Sequence, residues 1–351
     1  MLVTEHNADV LPDRASVAPP PSLSWKQIVG AVDPFLHAVQ RRLAGEVKEF
    51  DPEIAVHAEY ALTNQGKQLR PALVALSAQA TGTVLESHIL VAVIIEMVHL
   101  ATLVHDDVID EAELRRRQPT LAAHWGNHIS VLLGDILFAH ALKLATGFPT
   151  TDICRAVASA TKTVCTGEIL QTLLDKNFGL ERADYFKVLR MKTGELFALA
   201  CDLGAYFNNA PSSQRAALRQ YGLALGTAYQ VFDDCLDLFG TESAAGKSLG
   251  TDLAKGKLTL PMLVLLDKLP HRQRARVQSL VRHWQTSHWP EVSRLLRAQN
   301  ALGESQHLME QYLDQARHAL ASLPASESRA ALLTLADYLG QQTALLGHAP
   351  A

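Results

Sequence analysis

The stretch from Ile89 to Val104 is apolar almost throughout, and it runs without a break into His105-Asp106-Asp107-Val108-Ile109-Asp110. A helix that is apolar on nearly every side belongs at the centre of a bundle. Glu96 and His99 interrupt the run, so it falls short of the roughly 20 predominantly apolar residues that a membrane span needs. The expected element is a buried core helix ending in three carboxylates. Asp106 and Asp110, four residues apart, lie about 40° apart on the helical wheel with Asp107 beside them. Like charges this close repel, and ionised groups beside an apolar core are costly, so something must neutralise them. A divalent cation does so most simply.

The spacing recurs as Asp233-Asp234-Cys235-Leu236-Asp237, again on an apolar helical stretch that begins near Leu223. One such cluster can be a solvated helix end; two, each emerging from apolar helix, are much harder to read that way. Oxygen donors without His or Cys partners favour a hard ion, and Mg²⁺, typically held by a few carboxylates plus substrate phosphates, suits them better than zinc. Basic groups alternate with the acids along the chain. Gly66-Lys67-Gln68-Leu69-Arg70-Pro71 precedes the core helix, Arg115-Arg116-Arg117 follows the first cluster, and Lys247, Lys255 and Lys257 follow the second. Metal-bridged carboxylates together with Arg and Lys point to a diphosphate ligand. His99, seven residues before Asp106, projects within about 20° of it and about 10 Å along the axis, so it faces the same cavity.

From about Ser24 onward the pattern is helical, punctuated at Gly147-Phe148-Pro149, Asn208-Asn209-Ala210-Pro211 and Leu269-Pro270, and strand-like alternation is essentially absent. Although 351 residues would suit two domains by length, no βαβ rhythm divides them. The expectation is one large all-α bundle over 24–351, preceded by a flexible tail over 1–23 that contains Pro19-Pro20-Pro21. Lys+Arg 32 against Asp+Glu 36, a net charge of −4, excludes an overall basic field for nucleic acid or an anionic membrane. Cys154, Cys165, Cys201 and Cys235 are widely spaced without metal-ligand spacing. They read as free thiols in a reducing compartment, and the start of the chain lacks a secretory pattern, so a cytoplasmic location is expected.

Taken in order, GKQLRP at 66–71, HLATLVHDDVIDEAELRR at 99–116, GD at 134–135, GEILQ at 167–171, KTGELF at 192–197, YQVFDDCLD at 229–237 and GKSLGTDLAKGKLTLP at 246–261 resemble the trans-isoprenyl diphosphate synthases of the polyprenyl synthetase family. The resemblance covers roughly residues 25 to 340 and implies an isoprenoid-synthase bundle with a central cavity, acting as a homodimer. It implies condensation of isopentenyl diphosphate with an allylic diphosphate. Carried over by motif, Asp106, Asp107, Asp110, Asp233, Asp234 and Asp237 would hold Mg²⁺, three ions in the family's manner. Arg115, Lys192, Lys247 and Lys257 would stabilise the departing diphosphate, and Thr193 and Gln230 would direct oxygen dipoles at the allylic cation. Lys67, Arg70, His99 and Arg116 would bind isopentenyl diphosphate.

Short-chain members carry bulky aromatic residues where this chain has Ala101 and Thr102, one turn below Asp106. Small residues there imply an open tunnel and a product beyond C20, with the helix carrying Leu137 and Phe138 as its floor. Arg117 stands where the family usually has Gly, Gly194 where Ala is common, and Tyr229 where Phe is usual. Alternatives are a short-chain C15 or C20 synthase, a class I terpene cyclase, or a non-catalytic partner subunit. The cyclase class usually carries NSE or DTE in place of the second DDxxD, and regulatory subunits commonly lose groups that this chain keeps.

Overall fold

The computed structural model describes residues 24–63, 66–241 and 250–347. The N-terminal tail over 1–23 and Lys247 lie outside them. In chain order the helices are α1 (Trp25–Val29), α2 (Asp33–Glu46), α3 (Pro52–Thr63), α4 (Leu69–Thr81), α5 (Glu86–Ile109), α6 (Leu121–Trp125), α7 (Asn127–Thr146), α8 (Asp152–Leu174), α9 (Arg182–Leu189), α10 (Glu195–Tyr206) and α11 (Ser212–Phe239). They continue as α12 (Thr251–Lys255), α13 (Leu260–Lys268), α14 (His271–Arg282), α15 (Trp289–Ala298), α16 (Ala301–Ala319) and α17 (Glu327–Ala344). Among the described residues the only strands are β1 (Leu114–Arg115) and β2 (Gln118–Pro119), a two-stranded antiparallel hairpin. The fold is all-α, as the sequence pattern implies.

α5 is the core helix. Val91, Ala92, Val93, Ile94, Ile95 and Met97 are fully buried, because α2, α4, α7 and α10 pack around it. α10 lies between α4 and α11, and α11 in turn packs on α16. Close approach of α10 and α11 depends on missing side chains: a Cβ on Gly226 would lie 2.8 Å from Phe197 Cγ and 2.9 Å from Gly194 Cα. Both distances are well inside the about 3.5 Å optimum for carbon contacts. α5 and α7 are each long and apolar enough to cross a membrane by length and composition, but two-thirds of the α5 window is buried in the bundle. α7 is less covered and leaves Ile129, Val131 and Leu132 exposed.

Between α9 and α10 the chain makes a π-helical turn over Arg190–Gly194. Such turns re-aim the side chains they carry, and this one carries Lys192 and Thr193. Between β1 and β2, Arg116 (φ +51°) and Arg117 (φ +66°) are both left-handed, as a two-residue type I′ hairpin loop requires. That explains why glycine is usual where Arg117 stands: a non-glycine residue in this region costs roughly 1–2 kcal/mol.

Candidate active site

Both acidic clusters sit at the C-terminal ends of their helices, Asp106 to Asp110 on α5 and Asp233 to Asp237 on α11. The helix macrodipole already places negative charge there, so carboxylates at these ends call for cations. The two ends meet at one cleft. A cavity of about 230 Å³ is lined by Asp106, Asp110, Asp233, Asp234, Gln230 and Lys192, among others. A larger one of about 1460 Å³ is lined by Lys67, Arg70, His99, Arg116, Arg117 and Tyr229, among others. Asp110, Arg115, Asp233 and Asp252 border both.

Lysines already lie on the inward carboxylates. Lys257 Nζ donates to Asp110 Oδ1 at 2.9 Å, Lys255 Nζ is 3.3 Å from Asp110 Oδ2, and Lys192 Nζ is 3.7 Å from Asp106 Oδ2. Lys192 also pairs with Glu168 of α8. Burial pushes the Asp106 carboxyl up to about 6; Lys192 opposes this, while Glu168 and Asp110 add to it. For Asp110 burial also acts upward, but Lys257 and Lys255 outweigh it and the net shift is downward.

Asp107, Asp234 and Asp237 accept from donors other than lysine. Asp107 accepts from Arg115, whose Nε lies 2.9 and 3.1 Å from its two oxygens and whose Nη2 lies 2.8 Å from Oδ1. The β1–β2 hairpin folds Arg115 back to make this bidentate contact. Asp234 accepts from Gln230 Nε2 at 2.9 Å and from the Tyr185 hydroxyl. Asp237, fully buried and bordering neither cavity, accepts from Thr251 Oγ1 at 2.9 Å and from the backbone N–H groups of Thr251 and Asp252 at the start of α12. Of the six aspartates, Asp106, Asp110, Asp233 and Asp234 border the smaller cavity, Asp107, Asp110 and Asp233 border the larger, and Asp237 borders neither.

The donors present fit a hard divalent ion, being oxygens at the negative ends of two helices. Among the described residues no three acidic, Cys or His groups gather closely enough to hold an ion alone. An ion here would take further ligands from a bound diphosphate, the usual habit of Mg²⁺.

The larger cavity collects Lys67, Arg70, His99 and Arg116, as the motif order implies. Gly66 gives the Arg116 guanidinium room against the backbone. Burial, and after it the Arg70, Arg115 and Arg116 cations, hold the His99 imidazole well below its ordinary range. Arg70 lies over the Phe197 ring at 5.0 Å. Thr193 donates to Gln230 Oε1 at 2.8 Å. Ala101 is fully buried and Thr102 half-buried, its hydroxyl donating to His99 O at 2.7 Å; neither borders the two cavities, whereas Leu103 borders the smaller. On α7, Leu137 is fully buried and the Phe138 ring lies 5.6 Å from the His105 ring, tilted at 60° to it.

Sequence reasoning does not single out Glu168, Tyr185 or Asp252, which border Lys192, Asp234 and Asp237. It notes Glu96 only as a break in an apolar run. Glu96 is buried between basic groups; burial raises its carboxyl, and Arg70 and Arg116 oppose that rise.

This is the all-α isoprenoid synthase fold, with two acidic helix ends set against a basic wall. The chain belongs to the polyprenyl synthetase family, whose model matches residues 51–298. It is 36% identical to heptaprenyl diphosphate synthase component 2 of Geobacillus stearothermophilus, over 88% of this chain and 95% of that one. It is 35% identical to the nonaprenyl diphosphate synthase of Mycobacterium tuberculosis, over 86% of this chain and 90% of that one. Among solved structures, a Caulobacter crescentus polyprenyl synthase complexed with calcium and isoprenyl diphosphate superposes with a TM-score of 0.86 at 34% identity, covering 92% of this chain and 99% of that one.

Proposed function

We propose that the protein is a Mg²⁺-dependent trans-prenyltransferase that extends an allylic diphosphate with isopentenyl diphosphate units to a polyprenyl diphosphate longer than C20. The observation that carries this reading is the cleft itself, where two acidic helix ends face a separate set of Lys, Arg and His groups. That arrangement has room and charge for two diphosphates. The Mycobacterium and Geobacillus relatives are named for C45 and C35 products, which supports the long chain.

In this reading Asp106, Asp110 and Asp233 hold Mg²⁺, which when bound neutralises the negative charge that develops on the departing diphosphate. Lys192, Lys257 and Arg115 add fixed positive charge beside the same group, and Lys247 belongs to the set by its motif. Thr193 and Gln230 turn oxygen atoms toward the allylic cation. Lys67, Arg70, Arg116 and neutral His99 hold isopentenyl diphosphate so that its double bond faces that cation. Proton loss after the carbon–carbon bond forms goes to the released pyrophosphate, so no protein base is needed.

The exposed Ile129, Val131, Leu132, Ile169 and Leu173 give α7 and α8 an apolar surface suited to a second copy, which makes a homodimer the proposed assembly. The component 2 name of the Geobacillus relative favours a second reading, in which another component occupies that surface. A cytoplasmic location is supported by the four free cysteines.

The test is to incubate purified protein with labelled isopentenyl diphosphate, Mg²⁺ and, separately, C5, C10, C15 and C20 allylic diphosphates, then size the dephosphorylated products. Products of C30 or longer are expected, and Asp106→Ala or Asp233→Ala should lower kcat by several orders of magnitude with the fold intact. A stop at C15 or C20 keeps the class and refutes the open tunnel. No elongation by the chain alone favours the two-component reading.

A further inference from the structure

Gln230 is a two-ended side chain. Its carbonyl and NH2 ends have nearly the same shape, so a turn about its last torsion exchanges an acceptor for a donor at the same place. An NH2 turned toward a carbocation would repel it, whereas a carbonyl oxygen would stabilise it. Something in the protein has to decide which end faces the cavity.

Four side chains form a line with a definite direction. The Thr193 hydroxyl donates to Gln230 Oε1 at 2.8 Å. Gln230 Nε2 donates to Asp234 Oδ1 at 2.9 Å, one turn on along α11. The Tyr185 hydroxyl donates to the other carboxylate oxygen, Asp234 Oδ2. Both Asp234 oxygens are thus used as acceptors, Oδ1 from Gln230 Nε2 and Oδ2 from the Tyr185 hydroxyl, so the NH2 end of Gln230 points at Asp234 and the carbonyl end is left toward Thr193 and the cavity. The opposite orientation would set a carbonyl oxygen against a carboxylate oxygen.

The line is also enclosed. Tyr185 and Asp234 are 5% and 4% exposed and Thr193 is 7% exposed, so water competes little for these bonds. Tyr185 lies on α9, just ahead of the π turn that carries Lys192 and Thr193. Two bonds, Tyr185 to Asp234 and Thr193 to Gln230, therefore clamp that segment to α11 on both sides of the amide.

We propose that Asp234 and Tyr185 are positioning residues: Asp234 fixes the direction of the Gln230 amide, and Tyr185 holds Asp234 in the plane that does so. This rests on the proposed role of Gln230 beside the allylic cation. It assigns the middle aspartate of the second cluster to orientation of a catalytic side chain and removes it from the ion ligands.

The test is a double-mutant cycle on the full-length chain, with C15 allylic diphosphate, isopentenyl diphosphate and Mg²⁺. Tyr185→Phe removes one hydroxyl and should lower kcat about tenfold, as loss of a hydrogen bond to a charged group does, with KM for both substrates within about twofold. In a Gln230→Leu background, where no amide remains to orient, the same change should cost less than about twofold. Asp234→Asn should lower kcat without changing the Mg²⁺ concentration for half-maximal rate; if Tyr185→Phe does not fold, it takes that variant's place in the cycle. An undiminished tenfold loss in the Gln230→Leu background would overturn the proposal, because Tyr185 would then act elsewhere. So would a tenfold or greater rise in the Mg²⁺ requirement of Asp234→Asn, which would make it an ion ligand. Wild-type kcat in Gln230→Leu itself, with Asp106→Ala inactive, would locate the failure in the role given to Gln230.

Discussion

Gly167 of α8 faces the π turn that carries Lys192. A Cβ added there would lie 2.8 Å from Lys192 N, 2.9 Å from Met191 Cβ and 3.2 Å from Lys192 Cα. Comfortable contacts of this kind are about 3.5 Å, so the turn would have to retreat by about 0.7 Å. Most of the opposing atoms are backbone, which cannot swing aside as a side-chain tip can. Overpacking of this kind costs roughly 1–3 kcal/mol, and the better helix propensity of alanine returns up to about 1 kcal/mol. Gly167→Ala should therefore lower the melting temperature by only a few degrees. Its effect on turnover should be far larger, because the displaced turn holds Lys192 near Asp106 and Thr193 on Gln230. Misplacement by about 1 Å can cost on the order of 10²-fold. The assay is steady-state elongation with C15 allylic diphosphate, paired with a thermal melt of the same preparation. A folded Gly167→Ala protein with wild-type kcat would refute the reasoning, since it would mean that α8 gives way and the turn does not.

Thr102→Phe should shorten the product distribution, because a ring on the face of α5 shared with Asp106 would reach toward the wall that includes Leu103; an unchanged distribution would place the limit elsewhere. The Mg²⁺ requirement should rise at low pH. Ion binding needs ionised Asp106, and with its carboxyl near 6 only about one molecule in eleven is ionised at pH 5, so half-saturation should need about tenfold more Mg²⁺ than at pH 8. Folding without metal runs the opposite way with pH: a carboxyl raised above 3.8 favours the folded state fully below that value, and the contribution is lost as pH rises through about 6. A Mg²⁺ requirement that is flat from pH 5 to 8 would refute the assignment.

Periodicity made α5 legible as a buried helix and placed both acidic clusters on helix ends. It could not say which carboxylates face the cleft, because a helical wheel gives direction without naming the neighbour. Asp107 is claimed by Arg115 only because a hairpin with two left-handed arginines turns the chain back. Asp234 is claimed by Tyr185, 49 residues earlier, and Asp237 by Thr251, 14 residues later. Glu168 reaches Lys192 only through the packing of α8 on the π turn. The departure at Arg117 was visible in the sequence, but its physical meaning, a left-handed φ occupied without glycine, needed the backbone.

The convergence of two acidic helix ends sets stability against activity. Asp106 and Asp233 lie near helix ends whose dipoles disfavour them, and each adds to a field that the cleft must contain. Neutral residues there would relieve the folded chain, so selection for heat resistance alone would erode the positions on which its chemistry depends. The ceiling on how robust this fold can become while remaining active lies in the same few carboxylates, and relief without loss must come from distant parts of the bundle.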